Sequence, residues 1–381
     1  MRIGIVGNYG NDNNGDEAIL LSLVKQVTST FNIQTSQLTI FSNNPKQTAE
    51  RYGVESYPLY YKKGNAVKTF IETFRQNKRV VNKLDLLIIG GGGILMDLYK
   101  REAPLYGSYA MMAKQSNTPY VIYGCGAGPL NTSLGKWFIR YMCKHAESVS
   151  VRDPESAELL RSIGVIEKVD VIGDPAFSLR EEGATAKSDT PTKIGVTAVP
   201  YYNADYWPEG NPEIYRTYVE GMAKNLDKLA AGRDVAITFF ATKFPQDANV
   251  TKDIQALMKE SGKTNIIDEN LLPAKIMEVT EQQDIVIGTR LHSLILATCT
   301  ETPVMAISYH HKVKDFMSLA ELERFSFPID ELHENEDYFL GAFNEMSADW
   351  PATLQQTEKL SKKLYDEAMN GTVQFTNAVK K

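Results

Sequence analysis

The chain has 381 residues, 23% of them charged, with a net charge of −6 and a pI near 5.6. That length suggests two domains of roughly 150 to 200 residues each. The acidic balance argues against a nucleic-acid partner, which needs a basic face. Apolar runs such as Ile19 to Leu23 fall far short of the roughly 18 to 20 residues that cross a bilayer. Met1 and Arg2 lead straight into Ile3-Gly4-Ile5-Val6, with no apolar leader region. Cys125, Cys143 and Cys299 are odd in number and widely spaced, as expected of reduced packing thiols and not of a disulfide frame or zinc site. The expectation is a cytoplasmic protein.

In chain order, apolar strand-like runs cover Ile3 to Val6, Leu38 to Phe41, Leu86 to Ile89, Tyr120 to Tyr123, Ser148 to Val151 and Val169 to Ile172. Helical stretches separate them, the signature of a parallel sheet with crossover helices. Residues 181–192 are small, polar and charged without apolar periodicity, and read as a linker. The alternation resumes with Ile194 to Val199, Val235 to Phe240, Asp284 to Ile287 and Val304 to Ile307. The fold class expected is α/β, two Rossmann-like doubly wound domains facing a cleft. Residues 1–180 form the first and 193–350 the second; 351–381 hold an amphipathic helix, with Leu354, Leu360 and Leu364 among charges, that packs back on the first.

Parallel α/β sheets bind ligands outside the carboxyl ends of their strands, so those ends are where chemistry is sought. The first carries Gly7-Asn8-Tyr9-Gly10-Asn11-Asp12-Asn13-Asn14-Gly15-Asp16-Glu17. It lacks the Gly-x-Gly-x-x-Gly spacing of a dinucleotide loop, and Asp16 and Glu17 already occupy the positive helix end. Asn14 and Glu17 have the spacing of a capping pair; the loop otherwise suits sugar hydroxyls. Gly90-Gly91-Gly92-Gly93 allows close approach to the backbone, but Ile94 and Leu95 stand where a phosphate loop needs Lys and Ser or Thr. Gly124-Cys125-Gly126-Ala127-Gly128-Pro129 either packs tightly or lets the two domains approach.

In Val151-Arg152-Asp153-Pro154-Glu155, Asp153 reads as a helix cap and pins Arg152 at a strand end. A fixed guanidinium suits carboxylate or phosphate; the plainer alternative is an ion pair with Asp153 or Asp174. Gly288-Thr289-Arg290-Leu291-His292 places a guanidinium and an imidazole at another strand end, a pair suited to anion binding with proton transfer. The plainer alternative has Arg290 capping carbonyls and His292 packing under a helix from Ser293 to Cys299. Ser308-Tyr309-His310-His311-Lys312 adds a third cation. His310 and His311 are adjacent and no His-Glu-x-x-His motif occurs, so no metal is expected. Tyr201, Tyr202, Tyr206 and Trp207 cluster after the first strand of the second domain, offering flat faces for sugar rings or simply a surface loop.

Residues 62–83 hold Lys62, Lys63, Lys68, Arg75, Lys78, Arg79 and Lys83 against the single acid Glu72, with Val67, Phe70, Ile71 and Phe74 at helical spacing. Such a segment either docks at the inner face of the cell membrane on anionic lipid or covers a sheet with a solvated basic face.

Together, Gly7-Asn8-Tyr9-Gly10 with Asn14-Gly15-Asp16-Glu17, Ile88-Ile89-Gly90-Gly91-Gly92-Gly93, Ser150-Val151-Arg152-Asp153, Gly288-Thr289-Arg290-Leu291-His292 and Tyr309-x-x-Lys312 resemble the polysaccharide pyruvyl transferases, over nearly the whole chain. The resemblance is strongest to those that place ketal-linked pyruvate on N-acetylmannosamine in bacterial secondary cell wall polymers. It implies a GT-B-like architecture and phosphoenolpyruvate as co-substrate with no other cofactor. It places Arg152, Arg290, Leu291, His292 and Lys312 at the donor. The acceptor, expected to be lipid-linked, falls to Asn8, Tyr9, Asn14, Asp16, Gly92, Gly93, Tyr201 and Trp207. Phosphoenolpyruvate carries about three negative charges, so fixed cations should surround it. His292 is the expected general acid or base, and Asp16 a base for the attacking hydroxyl. Two rivals are a nucleotide-sugar glycosyltransferase of the same architecture, for which no ribose-binding acid, pyrophosphate loop or Asp-x-Asp motif is visible, and a noncatalytic sugar-binding relative.

Overall fold

Seven strands, β1 (Ile3–Val6), β2 (Leu38–Ser42), β3 (Glu55–Pro58), β4 (Leu86–Gly90), β5 (Tyr120–Cys125), β6 (Ser148–Val151) and β7 (Val169–Val171), make a parallel sheet in the order β3-β2-β1-β4-β5-β6-β7. Six more, β8 (Lys193–Val196), β9 (Ala236–Phe239), β10 (Thr264–Ile266), β11 (Ile285–Gly288), β12 (Val304–Ser308) and β13 (Ser326–Pro328), make a second in the order β10-β9-β8-β11-β12-β13. Every pairing is parallel. The computed structural model describes all residues except Tyr99, Lys100, Glu182, Ala184, Thr185, Ala186, Pro208, Lys380 and Lys381.

Each sheet belongs to its own unit: Met1–Ser178 with Leu364–Lys381, and Leu179–Lys363. Central strands are buried along their whole length, which is why β1, β4 and β11 read as continuous apolar runs instead of alternating ones. In both sheets the strand order reverses beside the first strand, at β1/β4 and at β8/β11, and a doubly wound sheet opens its ligand crevice at such a reversal. The loops that leave β1 and β4 are the polar loop and the four glycines. Those that leave β8 and β11 carry the aromatic cluster and Arg290.

The helix Trp350–Asn370 begins in the second unit and ends in the first, where Tyr123 Oη donates to Ala368 O at 3.1 Å and Phe375 packs on Tyr123 with ring centroids 4.4 Å apart. The stretch 181–192 is less of a linker than its composition suggests. Glu182 and Ala184 to Ala186 lie outside the described residues, but the segment after them is anchored. Lys187 Nζ donates to Glu281 O, Gln283 O and Thr302 Oγ1 at 2.7 to 2.8 Å, and Asp284 accepts from the amides of Thr192 and Lys193. A polar composition therefore marks backbone-bonding residues along the second unit.

Candidate functional site

The helix Asn14–Phe31 starts one residue earlier than the spacing of Asn14 and Glu17 suggests. Asn13 is the cap, accepting from Gly15 N at 3.2 Å, and Asn14 is buried. Glu17 turns away from a capping role. Its carboxylate accepts from Gly10 N at 2.8 Å and from Tyr52 Oη at 2.6 Å, with Arg51 Nη1 3.6 Å away. Arg51 also binds Asp12 at 3.0 Å. The helix Pro45–Tyr52 thereby fixes the polar loop from its far side.

Tyr9 departs from the sugar-binding role expected of it. It is 1% exposed, and its hydroxyl donates to Gly90 O. The ring lies under the glycine loop, so Tyr9 ties the ends of β1 and β4 together instead of facing a ligand. What remains at this reversal is Asn8, exposed, and Asp16, half-buried, with Asn8 Nδ2 and Asn13 Nδ2 each donating to Asp16 Oδ2 at 3.0 Å. Gly91 and Gly92 both adopt positive φ, and a Cβ on Gly92 would approach Asp16 Oδ1 to 3.1 Å. Asn8, Asp16, Gly92 and the half-buried Gly93 thus form one polar ledge on the first unit.

The third glycine loop is a packing turn within the same unit. A Cβ on Gly124 would meet Pro175 at 2.4 Å, and one on Gly126 would meet the Arg152 guanidinium at 3.0 Å. Arg152 forms both ion pairs weighed from the sequence, with Asp174 at 3.2 Å and Asp153 at 3.3 Å. Two carboxylates hold the guanidinium rigid and offset its charge, which weakens the case for Arg152 as an anion ligand. Asp97, near the four glycines, accepts from Asn131 N, Thr132 N and Thr132 Oγ1 at 2.6 to 2.7 Å and is a loop anchor.

In the second unit the reversal point is built differently. Arg290 is extended and immediately precedes the helix Leu291–Cys299, placing His292 in its first turn. Ser293 Oγ donates to Arg290 O at 2.6 Å, and Thr197 Oγ1 of the β8 loop donates to Ser293 Oγ at 3.0 Å, locking the turn. Asp247, 0% exposed, takes Arg290 in a two-pronged pair, with Nε–Oδ2 at 2.8 Å and Nη2–Oδ1 at 2.6 Å. Arg290 Nη1 points instead to Tyr206 Oη at 3.3 Å. Neither Asp247 nor this pairing was apparent from sequence. An acid opening a helix passes for a dipole partner, and its guanidinium lies 43 positions away.

The next strand, β12, leads to the helix His311–Leu319, whose cap His310 accepts from Lys312 N at 3.3 Å. Neither this helix nor Leu291–Cys299 has an acid in its first turn. Two neighbouring strands therefore lead into helix starts without a first-turn acid, which carry Arg290, His292 and Lys312, an arrangement that suits an anion. Helices such as Pro45–Tyr52 and Ser133–His145 also start without a first-turn acid, so what marks this pair is that they follow neighbouring strands and that Arg290 caps one of them.

The aromatic cluster borders this site. Trp207 stacks on Tyr202 at 5.1 Å and 8°, and meets Tyr309 edge-on at 6.3 Å. Tyr201 is buried with its hydroxyl on Asp330 at 2.9 Å, so Tyr201 is a support and not a sugar platform. Tyr206 lies beneath two cations, Lys243 Nζ at 4.8 Å and the Arg290 guanidinium at 5.4 Å. Burial pushes its phenol up, but Arg290 and then Lys243 outweigh that and hold it below the ordinary phenol range. Among the described residues no three His, Cys, Asp or Glu side chains gather as a metal site.

Two parallel-sheet Rossmann-like units, each with polar side chains at its strand-order reversal, define an α/β protein of GT-B-like fold. Solved structures with this fold include HepE of Anabaena in complex with UDP and glucose (13% identity, 100% of this chain and 99% of that one covered, TM-score 0.63) and MnaA of S. aureus with UDP (13% identity, 94% and 91% covered, TM-score 0.60). The model of the polysaccharide pyruvyl transferase family matches residues 13–311. The amylovoran biosynthesis protein AmsJ of Erwinia amylovora is 21% identical, with 82% of this chain and 84% of that protein covered. The chain belongs to the polysaccharide pyruvyl transferase family and is a transferase of polysaccharide pyruvylation.

Proposed function

We propose that the donor is phosphoenolpyruvate, taken by the second unit through Arg290, the first-turn amides at Leu291 and His292, and Lys312. One observation carries this reading. Two adjacent helices start without acids of their own beside a guanidinium that a buried carboxylate holds in place. Such a site suits a small multiply charged anion, whose burial without compensation is prohibitive. Arg152, held in the first unit by Asp153 and Asp174, is left out of this donor set.

His292 serves as the general acid or base, since an imidazole titrates nearest neutral pH. A proton is delivered to the methylene carbon of phosphoenolpyruvate, and the adjacent carbon becomes oxocarbenium-like. One sugar hydroxyl attacks that carbon and loses its proton. The carbon–oxygen bond to phosphate then breaks, a second hydroxyl adds and loses its proton, and the ketal closes. Of the two hydroxyl protons released, one replaces the proton spent on the methylene and the other leaves with phosphate. Asp16, on the ledge of the first unit with Asn8 and Gly92, is the base assigned to the acceptor hydroxyl. The acceptor is a sugar of a lipid-linked cell-surface polysaccharide precursor, with N-acetylmannosamine the first candidate.

Phosphate release from phosphoenolpyruvate with acceptor tests this. His292→Ala should lower turnover by roughly 100-fold or more, the loss of a proton carrier, and Arg290→Ala should abolish it when assayed well below the lowered melting temperature of that variant. Retained turnover in either variant removes that residue from the mechanism.

A further inference from the structure

The helix Ala66–Val81 packs inward through polar as well as apolar residues, Phe74 and Val80 lying against the core, and leaves two aliphatic ones in solvent. Its buried positions are Thr73, Asn77 and Val81. Thr73 Oγ1 accepts from Tyr61 N at 2.9 Å, and Asn77 Nδ2 donates to Pro58 O at 2.9 Å and Tyr109 Oη at 2.8 Å. Those bonds seat the helix. Val67, at 68% exposure, and Ile71, at 59%, face outward. Residues 67, 71, 75 and 78 recur at the spacing of a single helical stripe, so the two aliphatics continue into Arg75 and Lys78, with Lys68 and Arg79 alongside. This changes the sequence-based picture, in which Val67 and Ile71 shared one apolar face with Phe70 and Phe74.

Charge adds a second observation. Residues 62–83 hold seven cations against Glu72 alone, a local surplus of +6 in a chain whose net charge is −6. Glu72 is engaged by Arg75 at 2.8 Å, while Lys62, Lys63, Lys68, Arg79 and Lys83 are exposed. Tyr60 is exposed too, in the connection from β3 to this helix. A third observation is position. Because the sheet is parallel, the connection from β3 and the start of the helix lie at the same carboxyl edge as the loops after β1 and β4, the edge that holds Asn8, Asp16 and Gly92.

We infer that this face, built from Tyr60, Lys62, Lys63, Val67, Lys68 and Ile71, docks the first unit on the surface of an anionic phospholipid bilayer. Aliphatic side chains ringed by long cationic ones enter the headgroup boundary while their charged ends meet lipid phosphates. No helix among the described residues is long and apolar enough to cross a membrane, and the attachment inferred here needs none. The docking brings the ledge at Asp16 toward the lipid surface. That consequence rests on the proposed lipid-linked acceptor; the docking itself does not.

The full chain is sedimented with vesicles of phosphatidylcholine and with vesicles containing phosphatidylglycerol in addition. Binding is expected only to the second and should weaken as salt is raised. A triple variant, Lys62→Gln with Lys63→Gln and Lys68→Gln, should lose affinity on the order of a hundredfold, since each cation near an anionic surface contributes about fivefold. Val67→Ser with Ile71→Ser should abolish the part that survives high salt. All five positions are exposed, so melting temperatures should not move, and turnover with a water-soluble acceptor should stay at the wild-type level in both variants. Equal partition onto both kinds of vesicle, or wild-type binding by the triple variant, overturns the proposal without touching the assignment of donor or reaction.

Discussion

Breaking the Asp247–Arg290 pair tests whether a buried carboxylate is what holds the candidate donor ligand. Asp247 is fully buried and Arg290 largely so, with contacts of 2.6 and 2.8 Å in parallel geometry. Asp247→Ala leaves a guanidinium charge in a dry site, and Arg290→Ala leaves a carboxylate whose remaining donors are Thr242 Oγ1 and Lys243 N. Each single change should destabilise the second unit by about 3 to 5 kcal/mol, the range for removing one partner of a buried pair. In a domain of this size that is a drop of roughly 6 to 20 °C in melting temperature. The double variant should lose much less than the sum, with a coupling of about 3 kcal/mol. The assay is denaturant or thermal unfolding of all four proteins. Added phosphate should stabilise Asp247→Ala more than the wild type, because the anion replaces the missing negative charge beside Arg290. Single effects that add within about 0.5 kcal/mol would refute the reasoning.

Gly91→Ala should cost about 3 kcal/mol or more, because φ is +73° there and a Cβ would lie 1.9 Å from Ile19 Cγ2. Gly53→Ala, at φ +64° with nothing nearer than Thr35 Oγ1 at 3.4 Å, should cost only the backbone part of about 1 to 2 kcal/mol; equal losses in denaturant unfolding would contradict the overlap. Burial pushes Lys187 down to about 8, below its unfolded value near 10.4, so between those values the unfolded chain holds the extra proton. Unfolding free energy of the wild type relative to Lys187→Met should therefore rise from about pH 8 to pH 10, and a flat difference would show that Lys187 is not buried in solution.

How far the sequence discloses all this varies with the kind of interaction. Central strands such as β1, β4, β11 and β12 are legible because both faces are buried and, Ser308 at the end of β12 aside, no position is polar. The outer strands β3, β10 and β13, reading Glu-Ser-Tyr-Pro, Thr-Asn-Ile and Ser-Phe-Pro, are not, since a short edge strand has little apolar surface to show. Arg290 and His292 stand out because a guanidinium and an imidazole follow an apolar run at the strand edge where a parallel sheet binds its ligands. Asp247 stays hidden because only the fold brings it to Arg290. Tyr9 misleads for a related reason. A tyrosine among asparagines looks solvent-facing, yet the glycines after β4 leave room beneath them that its ring fills. The outward placement of Val67 and Ile71 is likewise invisible in a periodicity that counts apolar residues without knowing that Thr73 and Asn77 supply the inward bonds.

The central claim is that the second unit receives an enol phosphate. Calorimetric titration of the protein with phosphoenolpyruvate, UDP and UDP-sugars in parallel addresses it most directly. The account predicts saturable binding of phosphoenolpyruvate that Arg290→Ala removes and Arg290→Lys weakens, with no heat from UDP. Saturable binding of UDP or a UDP-sugar with none of phosphoenolpyruvate would contradict it.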